Sequence, residues 1–285
     1  MSTPVTAASD LALGAPVAAR LADWGVIRAK GDDAAAFLNG QLTQETLRLD
    51  VGQARLAGYC SPKGRLLASF VMWSAAPDEI LLACSADLLA PTLKRLSMFV
   101  LRAKCRLTDA SGELALWGVA LPGLLHADAP HPVPAAPYTT ASVAGGTAVR
   151  LADAAGATRV LWAAAPDAIP PWATSASPDV WNWLEVQSGV PRIVASTVEA
   201  FVPQMVNLEL VGGVNFQKGC YPARRSWHAA STAARSSAAW CWPRAPRPPP
   251  RAPRCSPPPT RSSRPARSCC RPACRTPRAA CGMRC

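Results

Sequence analysis

The sequence predicts an α+β fold in which antiparallel sheets pack against a few helices. Strand-like segments follow one another in pairs joined by short turns, and helical periodicity appears only between such pairs. This order favours antiparallel sheets over the strict alternation of a doubly wound parallel sheet. Residues 1–221 hold nearly all the aliphatic side chains and are long enough to bury a substantial core.

A strand and a helix are predicted first. Trp24–Lys30 has β-branched residues at its centre, which predicts a strand. Apolar residues at helical spacing predict a helix over Ala34–Leu42, with Asp32 or Asp33 as its N-cap. Together the two elements form a short β–helix unit.

A hairpin, a strand and an amphipathic helix are predicted next. Arg55–Cys60 and Leu66–Trp73 are predicted strands, and the Ser-Pro-Lys-Gly between them matches the residue preferences of a type I turn. Ile80–Cys84 is a further strand. Leucines three or four positions apart predict a helix over Ala86–Val100.

Five later elements surround a loop that is predicted over the proline-rich residues 122–137. They are strands at Cys105–Thr108, Leu114–Leu121, Ala148–Leu151 and Arg159–Ala164, and a helix at Asp179–Gln187.

The net charge of +12 belongs to one end of the chain. Residues 222–285 contain 14 Arg, 13 Pro and 7 Cys but no Leu, Ile or Val, whereas residues 1–221 carry 16 basic against 18 acidic side chains. A segment without aliphatic residues cannot offset the entropy of ordering its backbone. We therefore predict a flexible N-terminus over residues 1–20, a globular region over 21–221 and a disordered tail over 222–285.

Two functional interpretations of the tail stay open beside the compositional one. Its arginines and three tryptophans would suit a disordered nucleic-acid-binding arm. The spacing of Cys270 and Cys274, repeated at Cys281 and Cys285, would suit a metal. The lack of lysine and the many cysteines favour the interpretation that these features only reflect the composition of the tail. We therefore predict no metal and no direct nucleic-acid contact.

The globular region lacks the common catalytic and targeting motifs. It contains no P-loop, GxGxxG, HExxH or GxSxG, and its histidines are scarce. The N-terminus has no basic signal-peptide region, and no apolar run approaches membrane-spanning length. Four dispersed cysteines fit reduced thiols. These features predict a cytoplasmic protein without a membrane partner.

One segment near the end of the globular region carries a specific resemblance. Residues 214–222, Val-Asn-Phe-Gln-Lys-Gly-Cys-Tyr-Pro, resemble the signature of the YgfZ-type folate-binding proteins, Lys-Gly-Cys-Tyr-x-Gly-Gln-Glu. These proteins belong to the glycine-cleavage T-protein (aminomethyltransferase) superfamily. Other segments resemble the same family in the same order: Ala35–Thr43, Tyr59–Leu67, Glu185–Pro191 and Phe201–Leu208.

The resemblance implies a multi-lobed fold around a central cavity for tetrahydrofolate or a derivative. It implies an accessory factor that supports iron–sulfur cluster assembly or repair and, through it, tRNA modification. The expected partners are folate and iron–sulfur proteins or their assembly machinery. A true aminomethyltransferase of the glycine cleavage system remains the alternative, so enzymatic activity stays open; the Lys-Gly-Cys-Tyr block favours the accessory factor.

Folate would need apolar walls, a few placed polar groups and a cation for its carboxylates. The candidates for these roles are Trp73, Phe216 and Tyr221 for stacking, Gln204 and Gln217 for hydrogen bonding, Arg65 or Arg192 for charge, and Gly219 for close backbone approach.

Cys220 and Lys218 form the candidate catalytic pair. If residues 217–221 are extended, the two side chains share a face, and a nearby ammonium lowers the pKa of a thiol. The alternative is that Cys220 is a small buried hydrophobic residue.

The resemblance stops at Pro222, where Ala-Arg-Arg follows instead of Gly-Gln-Glu. One legal set of codons for Pro222–Trp240, read from its third base, gives Gly-Gln-Glu-Val-Val-Ala-Arg-Ser-Gln-Tyr-Arg. We therefore predict a frame shift by loss of one base in the proline codon, which also accounts for the tail's composition. Such a chain would lack the family's C-terminal lobe and would have impaired function and low stability, or no function.

Overall fold

The structure is a computed structural model that describes residues 14–123 and 133–219. The described residues all lie within one compact unit of the chain. Its strands and helices, in chain order, are β1 (Val17–Arg20), β2 (Trp24–Lys30), α1 (Ala34–Gln41), β3 (Ala54–Cys60), β4 (Leu66–Ala76), β5 (Glu79–Ser85), α2 (Ala86–Ser97), β6 (Arg106–Asp109), β7 (Ala115–Pro122), β8 (Thr140–Val143), β9 (Gly146–Arg150), β10 (Ala157–Ala164), β11 (Thr174–Ser175) and α3 (Pro178–Ser188).

The strands form two sheets, which confirms the predicted α+β class. The five-stranded sheet has the order β3-β4-β5-β2-β6, and the six-stranded sheet has the order β11-β1-β7-β10-β9-β8. All pairings are antiparallel except the short parallel pair of β1 and β11. The first strand, β1, belongs to the six-stranded sheet. The next five, β2–β6, form the five-stranded sheet, and β7–β11 complete the six-stranded sheet.

Apolar side chains from both sheets meet in a shared core. Leu56 and Trp73 of the five-stranded sheet and Leu161 of the six-stranded sheet belong to one buried cluster, which also contains Trp181 of α3. Because Trp181 lies directly on β7, a Cβ on Gly118 would come within 2.2 Å of its indole ring. Glycine at this position is therefore a packing requirement of the fold.

A second core covers the other face of the five-stranded sheet. It contains Leu38 of α1 and Leu96 of α2, together with Ile193 and Leu208 from the segment that follows α3. This segment has little regular structure beyond a 3-10 turn at Ala195–Thr197. Its burial against the sheet brings the end of the globular region back beside α1.

One prediction needs correction. Val17–Arg20 forms β1, paired to β7 and β11, although we predicted flexibility through residue 20. The predicted N-cap of α1 is confirmed at Asp33, although its carboxylate accepts the backbone N–H of Lys104 at 2.7 Å instead of one from the helix. The predicted tail and residues 124–132 of the predicted loop lie outside the described residues.

Candidate functional site

The signature segment is anchored to the chain just after α1. The buried hydroxyl of Thr43 donates to the carbonyl of Gly213 at 2.5 Å and accepts the backbone N–H of Gly58 at 2.7 Å. The carbonyl of Thr43 accepts the backbone N–H of Asn215 at 2.9 Å. One threonine thus ties the signature both to strand β3 and to the end of α1.

Lys218 fastens the same segment through its side chain. The residue is 4% exposed, and its ammonium donates to the carbonyls of Asn39, Leu42 and Gln44 at 2.6, 2.5 and 3.2 Å. These carbonyls lie at and just beyond the C-terminus of α1, where helix carbonyls lack internal partners and a positive charge is favoured. The ammonium therefore satisfies main-chain acceptors that the helix leaves free.

The backbone between these anchors is a turn. The Asn215 side-chain oxygen accepts the backbone N–H groups of Gln217 and Lys218 at 2.8 and 3.2 Å. This pattern is typical of an Asx turn. Residues 216–218 form bends, so the extended backbone that would place Lys218 and Cys220 on one face is not present there. Cys220 and Tyr221 lie outside the described residues, so the predicted pairing of Lys218 with Cys220 stays a prediction.

A cleft of about 350 Å³ opens beside this turn. Its polar lining comes from four parts of the chain, and its residues include Gln44, Glu45, Arg55, Leu56, Tyr138 and Asn215. We call it the signature cleft. Its volume lies within the usual range for small-molecule sites, roughly 300–1,000 Å³.

Tyr138 forms a wall of the signature cleft and joins the two sheets. Its backbone N–H donates to the carbonyl of Arg150 in β9, and its carbonyl accepts the N–H of Ala54 in β3, both at 2.8 Å. Its φ of 58° lies in the left-handed region, which is uncommon for a bulky residue and concentrates at functional positions. Burial raises the pKa of its hydroxyl, although the positive charge of Arg159 opposes this shift.

Charged side chains gather close to the signature cleft, where α3 ends. Arg192 binds Asp23 at 2.7 Å and approaches Glu185 at 3.6 Å, and the buried Arg159 lies 3.9 Å from the other oxygen of Glu185. Burial raises the pKa of the Glu185 carboxyl, whereas Arg192 and Arg159 act in the opposite direction. The cluster therefore holds a carboxylate in a protein interior between two cations.

A narrow gap adjoins this charged cluster. It has room for about 20 Å³, enough for a single water molecule, and Trp24, Arg192 and Leu56 are among its lining residues. The Trp24 indole N–H and the Nη1 of Arg192 are buried without a hydrogen-bond partner among the described residues. Leu56 lines both this gap and the signature cleft.

The predicted folate-binding residues are dispersed. Trp73 is fully buried in the core between the sheets. Arg65 is exposed and donates to the carbonyls of Glu199 and Ala200. Gln204 has a buried side-chain amide whose nitrogen and oxygen both lack partners among the described residues.

The remaining predicted residues lie nearer to the signature cleft. Phe216, Gln217 and Gly219 are exposed on the turn that follows Asn215. Arg192 lines the narrow gap and not the signature cleft. None of these predicted side chains lines the signature cleft itself, although Asn215 at the start of the same turn does.

Several residues that build the site were not predicted from the sequence. Thr43 and Asn215 are polar residues inside segments that carry the family resemblance, and that position was a usable signal. Glu185 also begins such a segment. Tyr138 gave no signal, because its role depends on backbone contacts between two sheets.

Neither a metal site nor a membrane span is found in the part of the chain that the structure describes. Residues 14–123 and 133–219 contain no group of three metal-ligating His, Cys, Asp or Glu side chains. None of their helices is long and apolar enough to cross a membrane.

Comparison with known proteins finds curated relatives that share one name. No family model matches the chain. The tRNA-modifying protein YgfZ of Edwardsiella ictaluri is 31% identical over 216 residues, which is 71% of this chain and 63% of that protein. The tRNA-modifying protein YgfZ of Colwellia psychrerythraea is 27% identical over 209 residues, with 70% and 63% coverage. The chain is thus similar in sequence to YgfZ proteins over about 70% of its length. It spans less than two thirds of the length of the curated relatives it matches.

Two solved structures resemble this chain in part. The match to aminomethyltransferase T of the glycine cleavage system from Bartonella henselae covers 53% of this chain and 42% of that protein, with a TM-score of 0.44 and 14% identity. The match to heterotetrameric sarcosine oxidase from Corynebacterium sp. U-96 covers 51% of this chain and 74% of that protein chain, with a TM-score of 0.36 and 17% identity.

Proposed function

We propose that this chain binds tetrahydrofolate or a derivative in the signature cleft and supports tRNA modification through iron–sulfur enzymes. The observation that carries the proposal is the position of the signature turn. Thr43 and Lys218 fix this turn so that Asn215 forms part of the wall of a ligand-sized cleft. The name shared by the curated relatives, tRNA-modifying protein, supports the second half of the proposal.

The lining of the signature cleft fits the chemistry of a reduced folate. The Asn215 amide nitrogen donates to no described residue, and the Glu45 carboxylate meets Arg48 and Arg55 only at 3.9 Å, beyond hydrogen-bonding distance, so both groups keep capacity for the ring edge of a pterin. Arg55 supplies a cation for a carboxylate, and Tyr138 supplies an aromatic wall. A bound reduced folate would supply one-carbon chemistry.

Calorimetric titration with 5-formyltetrahydrofolate tests this assignment. Asn215→Leu removes a hydrogen-bonding group from the cleft wall, and we expect affinity to fall roughly tenfold. Asn182→Leu, at an exposed position of α3, is the matched control and should bind normally. Equal affinity of the two variants, with both folded, would place folate elsewhere.

The role in tRNA modification is tested in a bacterium that lacks its own YgfZ homologue. Mass spectrometry of tRNA nucleosides reports the output of iron–sulfur enzymes. We expect the chain with a restored reading frame to recover the missing nucleosides more fully than the chain as written. No recovery by either chain would argue against the role.

We also propose that residues 222–285 are read out of frame. The relatives match 70–72% of the chain, which is the fraction that residues 20–222 represent and which supports a break near Pro222. The nucleotide sequence around codon 222 tests this proposal. If this gene lacks no base around codon 222 when it is aligned with related genes, the proposal is refuted.

Cys220 remains the proposed functional thiol. The Lys218 ammonium donates to three main-chain carbonyls and keeps its positive charge, which lowers the pKa of a thiol that lies close to it. The rate of alkylation of Cys220 as a function of pH measures that pKa. A rate profile with the ordinary thiol pKa would favour a structural cysteine.

A further inference from the structure

A second cleft lies on the other side of the five-stranded sheet. It has a volume of about 260 Å³ between α2, the β3–β4 pair and the segment after α3. Its walls are largely apolar, and its residues include Tyr59, Leu67, Leu88, Pro91, Arg95 and Val198. It shares no lining residue with the signature cleft, so we call it the α2 cleft and treat it separately.

The charge of Arg95 is unusual within this protein. Six arginines among the described residues are at least partly buried: Arg28, Arg55, Arg95, Arg150, Arg159 and Arg192. Five of the six form an ion pair with a carboxylate, and Arg95 forms none with any described residue. Its Nε is also buried without an acceptor among these residues.

Tyr59 is the polar neighbour of Arg95. The tyrosine is 2% exposed, and burial raises the pKa of its hydroxyl, while the nearby guanidinium of Arg95 opposes that rise. A hydroxyl and a guanidinium thus line a cleft whose other lining residues, apart from Thr92, are apolar. Because a partly buried cation without a counter-ion is unfavourable, an anion bound beside Arg95 would stabilise it.

We propose that the α2 cleft binds a small carboxylate with an apolar body. The guanidinium of Arg95 binds the carboxylate, for which its planar donors are well suited. The apolar body packs against Leu67, Leu88 and Val198. An apolar pocket with a few convergent polar groups is the usual form of a small-molecule site, and this site is independent of the folate proposal.

Titration with 4-phenylbutyrate, followed by two-dimensional NMR of the full chain, tests the proposal. We expect amide resonances around the α2 cleft to shift in a saturable way. Arg95→Met should weaken binding roughly tenfold or more, because a charged hydrogen-bond donor is lost. Lys94→Met changes the exposed neighbouring cation on the same helix and should leave binding unchanged.

Two further measurements separate recognition of the carboxylate charge from nonspecific hydrophobic binding. The uncharged 4-phenylbutyramide should bind the unmodified chain about as weakly as 4-phenylbutyrate binds the Arg95→Met variant. Leu67→Trp should fill the cleft and abolish binding while a urea melt shows a folded chain. Equal affinity of the acid and the amide, retained binding in Leu67→Trp, or shifts confined to other regions would each overturn the proposal.

Discussion

Replacing Lys218 by methionine tests the role of the signature lysine as a structural clamp. The substitution removes an ammonium that is 4% exposed and donates to three carbonyls at the end of α1. Each charge-assisted hydrogen bond contributes about 1.5–3 kcal/mol. The variant also avoids the cost of burying the ammonium, which offsets part of that loss. We expect a net destabilisation of about 3 kcal/mol.

Urea unfolding followed by tryptophan fluorescence measures this change. At a slope of roughly 2 kcal/mol per molar urea, the unfolding midpoint should fall by about 1.5 M. Lys63→Met, at an exposed turn position, is the matched control and should stay within about 0.5 kcal/mol of the unmodified chain. If Lys218→Met is as stable as Lys63→Met, the three carbonyl contacts contribute nothing to folding and the clamp is refuted.

Two other substitutions and the behaviour of one buried thiol give further predictions. Gly118→Ala places a methyl group 2.2 Å from the ring of Trp181 and should destabilise the fold by about 1–3 kcal/mol in a thermal melt. Burial raises the pKa of Cys84 to about 12, so its native thiol should resist iodoacetamide at pH 8. Because the unfolded thiol ionises at lower pH than the folded thiol, stability should fall as pH rises above about 9. Glu185→Gln leaves the buried Arg159 without its carboxylate, whereas Arg192 keeps its ion pair with Asp23, and the change should cost about 1–3 kcal/mol.

Each expectation has its own check. A glycine-to-alanine change at Gly112, where a Cβ would meet nothing within 4 Å, should be close to neutral. Rapid labelling of Cys84 in the folded chain would contradict its burial. Glu209→Gln, a carboxylate with no ion pair among the described residues, should change stability little; a similar loss in both glutamine variants would contradict the charge argument.

The sequence predicted those elements whose residues carry a strong local signal. Trp24–Lys30 is confirmed residue for residue as β2, because its centre is β-branched and buried on both faces. The Ser-Pro-Lys-Gly turn is confirmed by the hydrogen bond from the Gly64 N–H to the Ser61 carbonyl at 2.8 Å. Helix α2 is confirmed with an earlier end, at Ser97.

The missed elements depend on partners distant in the sequence. Val17–Arg20 is alanine-rich and has little strand propensity of its own, yet β7 and β11 pair with it on both sides. The clamp formed by Lys218 could not be predicted either, since its acceptors are main-chain carbonyls that no side-chain pattern reveals. The resemblance located the right segment but not the atoms that it contacts.

The most direct test of the account is a crystal structure of the chain with 5-formyltetrahydrofolate. The account predicts ligand density in the signature cleft, with the pterin edge within hydrogen-bonding distance of Asn215 and a folate carboxylate near Arg55. Density for the ligand at a site that touches neither residue, in crystals where the cleft is free of lattice contacts, would contradict it.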